Sequence, residues 1–122
     1  MEKLLRYIPH FVLAVGIWTV ANGLLHEVFV LLSPHAAHYN RNLLRLLVDG
    51  LVLLFCGTVL LFLFSGLKQN QRNATYIAIV CSLFMLVYCA LIWPFLKTWI
   101  MVLLHAFLLG LLFYSLTVKS KN

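Results

Sequence analysis

Apolar residues run along this chain in four long blocks, at 8–32, 43–67, 74–96 and 98–118, separated by short polar breaks. Each block is long enough to cross ~30 Å of hydrocarbon at ~1.5 Å of helical rise per residue. The breaks carry the punctuation expected between helices. Ser33-Pro34 opens the longest one, 33–42, because proline disfavours helix in the residue before it. Lys68 to Asn73 (KQNQRN) is a charged turn, and Pro94 and Lys97 mark the last break. Pro9 is placed in the first turn of the first span, where a missing amide is tolerated. The pattern predicts an all-α fold, a polytopic membrane four-helix bundle with antiparallel neighbours, forming a single transmembrane domain over residues 1–122.

Composition agrees, since 64% of the 122 residues are hydrophobic and only 10% are charged. The net charge of +6 suggests no nucleic acid, because the basic residues are scattered over loops and ends. They read instead as orientation signals. Lys3, Arg6, Lys68, Arg72, Lys119 and Lys121 fall on one side and Arg41, Arg45 and Lys97 on the other, which predicts both termini in the cytoplasm. The first block is longer than a secretory signal and interrupted by Asn22, His26 and Glu27, so it reads as a retained helix. Cys56, Cys81 and Cys89 all lie within apolar blocks without a CxxC pair and read as small core residues. Trp18, Trp93 and Trp99 read as interfacial anchors, and His35 and His38 as part of a solvated loop.

Ionisable groups inside hydrocarbon are costly and mark sites by default. The candidates are His26 and Glu27 in the first span, Arg45 and Asp49 in the second and His105 in the fourth. Counted from the same membrane face, Glu27 lies ~8 Å deep, Asp49 ~9 Å and His105 ~10 Å, with Tyr88 and Cys89 of the third span near that level. Helical angle places Gly16, Thr19, Asn22, Gly23, His26 and Glu27 within a ~140° sector, and Arg45, Asp49 and Cys56 within ~40°. The expectation is an intramembrane polar site in the outer half of the bundle, built from His26, Glu27, Asp49 and His105 and supported by Asn22, Arg45 and Tyr88.

Such a layer suits a small lipophilic ligand such as a quinone, or a proton held on a carboxyl. Haem or metal at His26 and His105 is a further alternative, and a network that only bridges helices is the structural one. A carboxylate beside a histidine also permits a membrane-embedded acid/base enzyme acting on a lipophilic substrate. The bilayer is the certain partner. A partner membrane subunit or a second copy in a homodimer is open.

Asn22-Gly23-Leu24-Leu25-His26, the Pro34 loop, Asp49-Gly50 and Gly57-Thr58-Val59-Leu60-Leu61 resemble the first two helices of the DoxX-like small four-helix membrane proteins, over residues 11–62. That resemblance implies a four-helix bundle serving as an accessory or subunit of redox-linked membrane systems. The His26-Glu27 pair and His105 are not carried over from it. Chain length and a first-span glutamate, Glu27, also resemble small multidrug transporters. This second resemblance implies a dimeric proton-coupled small-molecule transporter.

Overall fold

The computed structural model describes residues 2–94 and 98–119, with side chains from Leu5 to Val118. Four helices follow in order: α1 Glu2–Leu32, α2 Arg41–Lys68, α3 Arg72–Ile92 and α4 Trp99–Lys119, with a short 3-10 turn, Pro34–Ala37, between the first two. Pro9 lies inside α1 and is buried, not in the first turn as its spacing suggested. The residues ahead of it, EKLLRYI, are mostly strong helix formers, and a single proline removes only one backbone bond from a long helix.

The helix ends have local causes. The side chain of Asn40 accepts a hydrogen bond from the amide of Leu43 at 2.9 Å, capping α2. The far end of α2 closes through the amides of Gln69, Asn70 and Gln71, bonded back to the carbonyls of Ser65, Leu67 and Gly66. Asn70 takes φ 58°, a left-handed conformation that asparagine enters more readily than most residues. The third helix stops at Ile92, ahead of Pro94, which has no amide to extend it; Leu96 and Lys97 fall outside the described residues.

Val12, Val15, Leu60, Ala78, Met85, Leu108 and Leu112 form a core drawn from all four helices. Large apolar side chains also point outward, with Phe29, Leu32, Phe55, Phe62 and Leu91 each at least 70% exposed. A water-soluble chain does not display apolar surface on this scale, whereas hydrocarbon solvates it. Each helix is long and apolar enough to cross a membrane, and together they define a multi-pass integral membrane protein.

Glycine sets the seam between α1 and α2. A Cβ on Gly57 would stand 2.7 Å from the Val20 amide nitrogen and 3.0 Å from the Gly16 carbonyl oxygen. One on Gly23 would meet Leu54 and the Gly50 carbonyl, and one on Gly50 would collide with the Glu27 carboxyl. Partners on α2 therefore descend from Gly57 to Gly50 as those on α1 ascend from Gly16 to Glu27. Hydrophobic driving force between helices is weak in lipid, so such close backbone approach is a main source of cohesion.

Candidate functional site

A cavity of about 520 Å³ lies toward the Pro34 end of the bundle, with wall residues from all four helices. Asn22 and His26 come from α1, Asp49 from α2 and Tyr88 from α3. Most of the remaining wall is apolar or aromatic, including Trp18, Phe29, Leu53 and Trp99. Leu25, Phe29 and Ile100 line it while remaining more than half exposed, so the cavity opens on the outward face of the bundle.

The shortest polar contact joining two helices at this cavity is from the Tyr88 hydroxyl, which donates to Asp49 Oδ1 at 2.7 Å. Their positions follow from the stripes that carry them: Asp49 is one residue before the seam glycine Gly50, and Tyr88 immediately precedes buried Cys89 on the core-facing side of α3. His26 Nε2 donates to the Leu46 carbonyl at 2.9 Å, tying α1 to α2. A carbonyl can only accept, so Nε2 carries a proton and, in the neutral ring, Nδ1 is an acceptor. Asn22 donates through Nδ2 to the Trp18 carbonyl at 2.8 Å, which leaves its oxygen as the end free to accept.

The other expected site residues are elsewhere. Glu27 is not on the cavity wall; it packs over Gly50 in the α1–α2 seam, and its Oε1 is buried without a hydrogen-bond partner among the described residues. His105 is fully buried deeper in the bundle, against Thr19, with its Nε2 3.4 Å from Thr19 Oγ1. The Thr19 hydroxyl already donates to the Val15 carbonyl at 2.8 Å. Its oxygen must therefore accept from His105, which leaves His105 Nδ1 as a buried acceptor with no partner among the described residues. Arg45 is exposed on α2, one turn from Asp49 toward the Pro34 end, and off the cavity wall.

His26, on α1 at the cavity, and His105, on α4 beside Thr19, thus stand at different levels, since Thr19 is seven residues from His26 along α1. Among the described residues no group of three His, Cys, Asp or Glu side chains is placed to hold a metal ion. The three cysteines are free and buried, and Cys81 Sγ approaches the Cys56 carbonyl at 3.5 Å. Trp93 and Trp99 pack edge to face at 4.3 Å between ring centroids, beside the cavity.

Sequence reasoning alone missed Thr19 as the partner of His105, and Trp18 and Thr98 as wall residues. Thr19 shares a helical face with Asn22 and His26, but pairing between the first and last helices leaves no spacing signal. The Thr98 oxygen is buried and, among the described residues, has no hydrogen-bond partner. No family model, curated protein or solved structure matches the chain.

Proposed function

We propose that this membrane protein holds a small lipophilic molecule in the cavity between its four helices. The cavity carries the reading: its volume suits a compact organic ligand, its walls are mainly apolar, and a few polar groups converge within it. The Asp49–Tyr88 pair supplies a fixed polar point, and Trp18 and Trp99 supply flat faces. A membrane-dissolved ligand would enter from the side, past Phe29 and Ile100.

The descending contacts along the α1–α2 seam support an antiparallel bundle, and the excess of basic residues at the ends and in the 68–73 turn supports cytoplasmic termini. The cavity then faces the outer leaflet. The likeness of residues 11–62 to DoxX-like proteins favours work beside a larger membrane complex, with the ligand shared between them.

Two of the three tryptophans line the cavity and the third packs edge to face against one of them, so bound ligand would be read in their emission. Titrating short-tailed lipophilic molecules, quinones included, into protein in nanodiscs is expected to quench it saturably. Leu53→Trp, which fills the cavity from α2, should remove the saturable part. Quenching that rises linearly with membrane concentration of the probe, alike in both proteins, would show partitioning alone.

A further inference from the structure

The hydrogen-bond inventory of the cavity restricts what it can hold. Three of its polar side chains have donors directed at protein acceptors: Tyr88 at Asp49, His26 Nε2 at Leu46 and Asn22 Nδ2 at Trp18. What these residues offer a ligand is therefore mainly acceptors: the second oxygen of Asp49, Nδ1 of His26 in its neutral form and the amide oxygen of Asn22. Remaining donors are the second amide N–H of Asn22, the Thr98 hydroxyl, which can equally accept, and the indole N–H groups of Trp18 and Trp99. Among the described residues Asp49 is the one carboxyl on the wall, and no lysine or arginine lines it. Trp18, Phe29, Tyr88 and Trp99 add aromatic faces, which attract cations.

We infer that the ligand is a lipophilic amine, carrying a protonated nitrogen that donates to Asp49 and His26 while its apolar body lies among the aromatic rings. An oxidised quinone presents only carbonyl acceptors and brings neither a donor nor a positive charge to the Asp49 carboxyl. This inference rests on the cavity being a ligand site and adds the chemistry of the occupant.

A matched series on one bicyclic body tests it: 1-naphthylmethylamine, 1-naphthalenemethanol and 2-methyl-1,4-naphthoquinone, titrated calorimetrically into the full chain in phosphatidylcholine nanodiscs at pH 7, with empty nanodiscs subtracted. The amine is expected to bind saturably and at least ten-fold more tightly than the alcohol or the quinone. Asp49→Asn should weaken the amine at least ten-fold and the alcohol by less than about two-fold. Tyr88→Phe, which frees Asp49 Oδ1 as well, should leave amine affinity equal or higher. A quinone that binds as tightly as the amine overturns the inference while leaving the cavity as a site, and so does an Asp49→Asn protein that keeps its amine affinity. A ten-fold loss of amine binding in Tyr88→Phe overturns it too, by making Tyr88 the anchor. Saturable binding by none of the three removes the ligand site itself.

Discussion

At the scale of single residues, the hydrogen bonds that join helices at Thr19, His26 and Tyr88 each have a definable direction. Thr19 accepts from His105 only because its own proton is engaged by Val15. Thr19→Val should therefore strand the imidazole N–H in the core and destabilise the bundle by about 1 kcal/mol, the scale of interhelical bonds in lipid. His105→Leu in the same background should recover most of that loss, since removing both partners of a buried bond is far less harmful than removing one. Reversible unfolding in mixed micelles gives the double-mutant cycle; additive losses would mean that the two side chains do not interact. Angle and depth along each helix were enough to bring Asn22, His26, Asp49 and Tyr88 into one neighbourhood from sequence. They could not show that Glu27 turns into the seam over Gly50, since that depends on how closely two backbones approach.

Among the helices, the glycines divide sharply by environment. Gly57 faces the backbone of α1, whereas a Cβ added to Gly110 on α4 would meet nothing within 4 Å. Gly57→Ala is expected to lower stability by about 1–3 kcal/mol, because a backbone nitrogen cannot move aside as a side chain can. Gly110→Ala should be neutral or slightly stabilising through helix propensity. Thermal denaturation in detergent compares the two, and equal effects would argue against the close seam. The four helices themselves were legible because hydrocarbon thickness imposes a minimum length on each apolar block. Pro9 was not, because the same residue can start a helix or be carried within a long one.

Across the whole molecule, orientation can be tested with thiol labels, since the native Cys56, Cys81 and Cys89 are buried. His38→Cys, between α1 and α2, should react with an impermeant maleimide on intact cells. Gln69→Cys, between α2 and α3, should react only after permeabilisation; the reverse pattern would invert the proposed topology.

The helices are also unequal in height. The first two have 31 and 28 residues and the last two 21 each, or about 46, 42 and 31 Å of helix. Asp49 and Tyr88 fix their relative level: α2 continues eight residues beyond that pair to Arg41, while α3 continues four to Ile92. At the Pro34 end α2 therefore rises roughly one helical turn, ~6 Å, above the end of α3 and leaves a step. Lipid against α3 must thin or tilt to match it. Headgroups would settle on that ledge, beside Trp93 and Trp99, bringing the water boundary closer to the cavity than the length of α1 alone suggests.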